Sequence, residues 1–313
     1  MFAASLVPKL KSLIPGSFVG IWCKSYASGI APLIPGLGAC HAADPFWDRS
    51  PGRGQGPLAP FLRSWLEVRR AKYDAALLAS QSSKTAAAVA LAGVPRRIGF
   101  HRPGTARWLT DALPAADPGK PVLTQLSRLL EPLGLQNVHL ACSLNREPLA
   151  QERLRLRPFF ARRTTALHPF AGAAERCVAL AEWIRLSNML EDRGVATLWF
   201  GTATELNRVR SAPNPRPSWN YADDLTANSL FVAAAALSLC DVFVGHDSGP
   251  LHLANALGIP CLGVYAPGEP ERTPPQAIGP ARIIAKSDAK DVRAEDMLAE
   301  WELVPASSAP LGP

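Results

Sequence analysis

Asp241–Arg272 reads DVFVGHDSGPLHLANALGIPCLGVYAPGEPER, and its order of apolar run, polar turn and apolar helix decides the class of fold. Val242–Val244 is short and β-branched enough to be a buried parallel strand. Asp247, Ser248 and Gly249 are turn and N-cap residues. Pro250 has the fixed φ that suits a first helical position, and Leu251, Leu253, Ala254 and Leu257 follow at helical spacing. Gly258 and Pro260 stop that helix, and Cys261–Tyr265 is a second apolar run. The unit is therefore strand, loop, helix, strand: a parallel crossover with a polar loop at the carboxyl end of its first strand. Open α/β sheets bind their ligands at that end.

The loop has chemistry of its own. Backbone N–H groups at the start of the helix, with the helix dipole behind them, suit a phosphate or another anion. His252 lies in the first turn, where an imidazole could donate to a phosphate oxygen; Ser248 offers a hydroxyl, and Asp247 could orient the loop. An isolated D-S-G-P is more often a simple cap, with Ser248 capping and His252 on the surface.

Two further stretches share this logic. Thr164–His168 is a strand that runs into the small-residue loop Pro169, Phe170, Ala171, Gly172, Ala173 ahead of a helix over about Val178–Arg193, so Gly172 marks a second place where a phosphate can approach backbone amides. Gly194–Gly201 is another strand, followed by TATE, in which Thr202 and Glu205 have capping-box spacing. That spacing alone can account for the glutamate.

The remaining chain reads as further α/β units. Met1–Gly16 is amphipathic and helical, Ser17–Cys23 a strand, and Cys40–Pro60 an irregular loop rich in Pro, Gly and Asp. Phe61–Lys72 is a helix, Tyr73–Ala79 a strand ending at the polar pair Gln81 and Ser82, Ser82–Ala92 a helix, Arg96–Phe100 a strand and Val122–Leu133 a helix. The pattern loosens over Ala141–Arg163, which places a domain boundary near residue 150: an amino-terminal domain over 1–150 and a carboxyl-terminal domain over 151–313. Toward the end come a helix over about Ser229–Leu239, a strand at Ala281–Ala285 and a helix at about Asp291–Leu303.

At 313 residues the chain can bury two cores of ordinary size, and 48% hydrophobic with 19% charged residues is a globular composition. No apolar run reaches the roughly 18 residues that a transmembrane helix needs. The first sixteen residues lack the basic leader of a signal peptide, so a cytoplasmic location is expected. The six cysteines have no C-x-x-C spacing and read as reduced packing residues, with no metal site implied. Charge is uneven: residues 1–150 hold 17 Lys and Arg against 8 acidic residues, a net +9, while 151–313 hold 16 against 18, a net −2. A basic amino-terminal half suits an anionic acceptor or an anionic membrane face. Nucleic acid is not expected, because no binding motif and no basic-aromatic array for stacking occurs.

The segment DSGPLHLANALGIPCLGVYAPGEPER resembles the signature of glycosyltransferase family 9, the lipopolysaccharide heptosyltransferases. YDAALLASQSSKTAAAVALAGVPRRIGF (Tyr73–Phe100), ALHPFAGAAER (Ala166–Arg176) and GVATLWFGTATE (Gly194–Glu205) follow the same family in the same order. The resemblance implies a GT-B fold, with two Rossmann-like doubly wound domains facing a cleft, the donor in the carboxyl-terminal one and the acceptor across from it. It implies an ADP-heptose-like donor, an anionic lipid-linked saccharide acceptor, peripheral contact with the inner membrane at its cytoplasmic face, and no cofactor. Asp247, Ser248, Gly249, Pro250, Leu251 and His252 would then form the donor site. Arg176 would meet the diphosphate, in place of the family's usual lysine, and Glu205 the ribose, where a carboxylate can accept from two vicinal hydroxyls. Family members usually open on an apolar strand and a Gly-Asp loop whose aspartate serves as the base. Nothing here corresponds to it, so the first domain is expected to be truncated and the base is unassigned. The absence of a D-x-D pair argues against a metal-held diphosphate.

Two other readings stay open. The chain could bind a nucleotide sugar without transferring it, given the missing loop, or it could be a related GT-B enzyme such as a sugar epimerase, against which the basic half weighs.

Overall fold

The computed structural model describes residues 1–48, 56–213, 215–227, 229–275 and 277–305, and divides the chain into two compact units, Phe2–Ala141 and Cys142–Pro313, the latter with Met1.

In the amino-terminal unit, α1 (Leu6–Leu13) leads into β1 (Gly20–Cys23), which pairs in parallel with β2 (Ala39–Ala42). Ala39–Ala42 falls at the edge of a stretch expected to be loop; the strand forms because Cys40 and His41 align with Ile21 and Trp22. Residues 49–55 of that expected loop lie outside the described residues. Then come α2 (Leu58–Ala71), β3 (Ala75–Leu78), α3 (Ser83–Leu91), β4 (Arg96–Phe100), β5 (Asp111–Leu113) and α4 (Val122–Ser127). The strand β5 carries no apolar run that would announce it; Asp111 secures it by taking two hydrogen bonds from Arg96 at 3.0 and 3.2 Å. These strands form two separate parallel sheets, β1-β2 and β3-β4-β5.

The carboxyl-terminal unit holds one parallel sheet of six strands. Its elements are α5 (Ala150–Leu156), β6 (Thr164–His168), α6 (Leu180–Glu191), β7 (Ala196–Trp199), α7 (Ala203–Arg210), β8 (Asn220–Tyr221), α8 (Ala222–Thr226), α9 (Leu230–Leu237), β9 (Val242–His246), α10 (Gly249–Ala256), β10 (Cys261–Tyr265), β11 (Ala281–Ala285) and α11 (Ala294–Glu302). The short β8 and α8 sit where the sequence shows only a Pro-rich loop and its flank, too brief to have a period. This unit begins eight residues before the boundary expected near residue 150, because the Leu144 N–H donates to the Ala256 carbonyl at 2.9 Å and Arg146 donates to the Leu257 carbonyl.

Strand order is β11-β10-β9-β6-β7-β8. The chain leaves β6 in one direction through β7 and β8, then returns to lay β9 on the other side of β6. That reversal is a topological switch point, and a crevice opens outside the carboxyl ends of the two strands that flank it. Helices on both faces explain why every residue of β6, β7, β9 and β10 is buried, the polar Thr164, Thr165, His168, Thr197 and His246 among them. The core is built around Trp183, Trp199, Leu167, Val244 and Leu262. Asp241 accepts the Thr164 N–H at 2.8 Å and so fixes the start of β6 against β9.

Candidate donor site at the sheet switch point

Three neighbouring strands, β9, β6 and β7, run parallel and end on the same edge of the sheet. All the sequence-predicted site residues lie in the segments that follow these strands: Asp247–His252 after β9, Gly172 and Arg176 after β6, and Glu205 in the first turn after β7.

After β9 the chain turns through Asp247 and Ser248 into α10, with Pro250 at its first turn, where a missing N–H costs nothing. Gly258 ends the segment in the left-handed region at φ +76°, as glycine can. Ser248 occupies the N-cap in an extended conformation, yet its side chain does not cap. Its hydroxyl instead donates back to the His246 carbonyl at 3.0 Å, so the cap expected from D-S-G-P is not formed and the front of α10 keeps its amides unused by a side chain. For Ser248 to donate to a phosphate, its hydroxyl must rotate away from that carbonyl.

His252 is not on the surface: it is 8% exposed, and its Nε2 lies 3.2 Å from Asp247 Oδ1. The other oxygen of Asp247 accepts from the Thr273 hydroxyl at 3.0 Å and has an Arg176 nitrogen 4.0 Å away. Asp247 therefore joins three segments: α10 through His252, the loop after β10 through Thr273, and the loop after β6 through Arg176. Tyr265 donates to the Thr273 carbonyl at 2.6 Å and steadies the second of these. Burial pushes the Tyr265 phenol up.

Arg176 closes a short 3-10 turn, Ala174–Arg176, and keeps nearly half of its side chain exposed beside Asp247. Gly172 has no atom within 4 Å of where a Cβ would stand and does not adopt positive φ, so open space lies over that part of the loop. Glu205 forms a complete capping box: Oε2 accepts the Thr202 N–H at 2.8 Å and the Thr202 hydroxyl at 2.9 Å. One carboxylate oxygen is thus committed to the start of α7.

His246, which nothing in the sequence marked, underlies this arrangement. Its Nε2 accepts the Val178 N–H at 3.1 Å and its Nδ1 faces the Val264 carbonyl at 3.3 Å, so the ring is a neutral imidazole with Nδ1 as donor. Burial is the largest cause of its pKa falling to about 4. Through Val178 it anchors the segment that carries Arg176 to the end of β9. His168 is likewise buried, its Nδ1 2.8 Å from the Phe200 carbonyl, and burial lowers its pKa too. The only signal for His246 was its place directly before D-S-G; its role depends on Val178, 68 positions away.

The chemistry of this edge is that of an anion site: a helix front, a guanidinium and hydroxyls around one carboxylate. Among the described residues no group of three or more His, Cys, Asp and Glu side chains is placed to hold a metal ion, and no helix is long and apolar enough to cross a membrane.

Comparison with known proteins places this geometry in context. The family described as glycosyltransferase family 9 (heptosyltransferase) matches residues 61–301. Lipopolysaccharide heptosyltransferase 2 of Escherichia coli is 31% identical over 99 residues, which is 30% of this chain and 28% of that relative's length. Its Salmonella typhimurium counterpart is 24% identical over 298 residues, 88% of this chain and 81% of that one. Among solved structures, that of E. coli ADP-heptose lps heptosyltransferase II covers 96% of this chain and 93% of its own, with TM-score 0.79 at 19% identity. A glycosyl transferase family 9 structure from Veillonella parvula covers 96% and 92%, with TM-score 0.78 at 16% identity. At these identities the likeness shows the fold, GT-B with parallel sheets.

Proposed function

The chain belongs to glycosyltransferase family 9, and from that premise we propose that it transfers a heptose or a related sugar from an ADP-sugar to the saccharide core of a lipopolysaccharide. Transfer proceeds with inversion and without a divalent metal. The acceptor hydroxyl oxygen attacks the anomeric carbon, the bond from that carbon to the β-phosphate oxygen breaks, and ADP departs with the electron pair. The hydroxyl proton passes to a base that none of the site residues named above supplies.

One observation carries this reading. The front of α10, its amides unclaimed by the Ser248 side chain, opens at the switch point of the sheet with Arg176 beside it. Helix amides and a guanidinium suit a diphosphate leaving group, whose charge grows as the glycosidic bond breaks. Asp247, paired with His252 and Thr273, sets the loop rather than meeting the anion itself. Glu205, with one oxygen on the α7 cap, has its other oxygen to offer to a ribose hydroxyl. The net +9 of residues 1–150 suits an anionic lipid-linked acceptor, and with it a place at the cytoplasmic face of the inner membrane.

The test is calorimetric titration of ADP into the protein and into its Ser248→Ala/His252→Ala double variant, with circular dichroism as a check on folding. The reading expects an affinity loss of at least about tenfold, or about 1.4 kcal/mol. Unchanged affinity in a folded variant overturns the assigned donor site. ADP release on adding a Kdo-lipid acceptor and ADP-heptose tests turnover. Binding without release would favour the second reading, a nucleotide-sugar-binding protein, which the unassigned base motivates.

A further inference from the structure

Two of the six cysteines stand apart from the others. Cys142, Cys240 and Cys261 are buried, and burial pushes the pKa of each thiol up. Cys177 is partly exposed and donates to the Ala173 carbonyl at 3.6 Å. Cys23 and Cys40 are also partly exposed, and their sulfurs lie 3.8 Å apart. Neither belongs to the donor site.

Strand register builds the pair. In the parallel pairing of β1 with β2, Cys40 sits opposite Ile21 and Cys23 opposite Ala42. Side chains alternate along a strand, so Cys23 shares a face with Ile21 and therefore with Cys40, one diagonal step away. The opposite face carries Trp22 and His41, which are engaged by other groups. Trp22 stacks on Phe61 of α2, and His41 meets Glu67 of α2 at 3.3 Å and Tyr73 at 2.9 Å. The two sulfurs thus meet on the face turned away from α2. A cavity of about 410 Å³, whose lining includes Ser28, Pro32, Leu37 and Ala42, reaches Cys40.

We propose that Cys23 and Cys40 form an oxidisable dithiol, a modification site at which a small-molecule disulfide is reduced while one disulfide forms within the chain. The Cys40 sulfur, reached through the cavity, loses its proton to water and attacks the small disulfide. One small thiol leaves, and Cys40 carries the other half as a mixed disulfide. The Cys23 sulfur then gives its proton to solvent, attacks the Cys40 sulfur and expels the second small thiol. Two protein thiols are oxidised and one disulfide is reduced to two thiols, so atoms and electrons balance. Burial sets this order: it pushes the Cys23 thiol up to about 12, with Cys40 adding to the effect, which makes Cys23 a poor first nucleophile. The bridge is labile. Diagonal neighbours lie farther apart than directly opposed residues, so drawing the sulfurs from 3.8 Å to the bonded distance of about 2.05 Å strains the strands, and strained disulfides are readily reduced.

Peptide mapping tests this on the full chain. The protein is treated with excess glutathione disulfide, alkylated without reduction and cut with trypsin. Cys23 lies in the tryptic peptide 12–24 and Cys40 in 25–49, each the sole cysteine of its peptide. The bridge should appear as these two peptides joined, two hydrogens lighter than their sum, and excess reduced glutathione should part them again. Cys23→Ser should keep glutathione on Cys40 as a lasting mixed disulfide, whereas Cys40→Ser should leave Cys23 about tenfold less modified; circular dichroism checks that both variants fold. The proposal is overturned if the joined peptides do not form, if reduced glutathione cannot part them, or if both variants take up glutathione equally. Should a variant fail to fold, the parent protein quenched early in the reaction decides. Glutathione found first on 25–49 supports the proposal, and glutathione found first on 12–24 overturns it.

Discussion

The two units differ in how completely the same kind of sheet is enclosed. Every residue of β6, β7, β9 and β10 is buried, whereas none is buried in β1 and only Leu78 is buried in β3. The carboxyl-terminal core brings together buried residues from five of its six strands and their covering helices, with Tyr221 of β8 packed against it; around β1 and β2 the cluster is Ala43, Phe61 and Ala88, with Trp22, Trp47 and Trp65 packed partly against it. Apolar burial contributes about 25 cal/mol per Å² removed from water. A sheet closed on both faces and along its centre is therefore held firmly, and a site at its edge inherits that rigidity. The amino-terminal strands instead form two small sheets with a groove of about 680 Å³ between them, and lack such an enclosed centre.

The contrast can be broken most directly with tryptophans. Trp199→Ala, at a fully buried position in β7, should lower stability by about 3–5 kcal/mol, read from urea unfolding. Trp22→Ala, half-buried in β1, should cost about 1–2 kcal/mol. Equal losses would mean that the amino-terminal sheet is as tightly held as its counterpart.

Acid sharpens the comparison next. An unfolded His246 takes up its proton near pH 6.5, while the folded one stays neutral down to about 4. Its contribution is thus complete above pH 6.5 and is lost as pH falls toward 4, a loss of about 3 kcal/mol. His168 acts in the same direction. Unfolding measured at pH 7 and pH 4.5 should show this loss, and His246→Gln should flatten the dependence. A variant as pH-sensitive as the parent would remove His246 from the explanation.

Smaller effects probe the edge itself. Arg176→Ala should weaken ADP binding about tenfold, or about 1.4 kcal/mol, with little change in unfolding because the side chain is nearly half exposed. Thr202→Ala should destabilise by about 1 kcal/mol through the lost cap of α7, measured by thermal unfolding. If Glu205 also meets a ribose, Glu205→Gln should reduce ADP affinity while costing less stability than Thr202→Ala. A loss of stability alone would leave the glutamate as a cap.

Much of this was legible in one dimension. The strands β4, β6, β10 and β11 fall at the residues expected from the sequence, and Asp247–His252 lies between strand and helix as turn and cap chemistry require. Local rules suffice there, because a buried parallel strand announces itself by an unbroken apolar run and a helix start by its cap. The family likeness, too, is carried by contiguous segments.

The rest was decided by residues far apart in the chain. β2, β5 and β8 are short and form only because a neighbouring strand presents its edge to them. Ser248 looks like a cap and is not one, because the His246 carbonyl accepts its hydroxyl. His252 looks like a surface residue and is buried against Asp247. His246 has no sequence signal beyond its place directly before D-S-G, since its partner Val178 lies 68 positions away, in the segment that follows β6. Local spacing fixes dihedral preference and which face is apolar. Which backbone edge, carbonyl or carboxylate comes within 3 Å is set only when the sheet assembles.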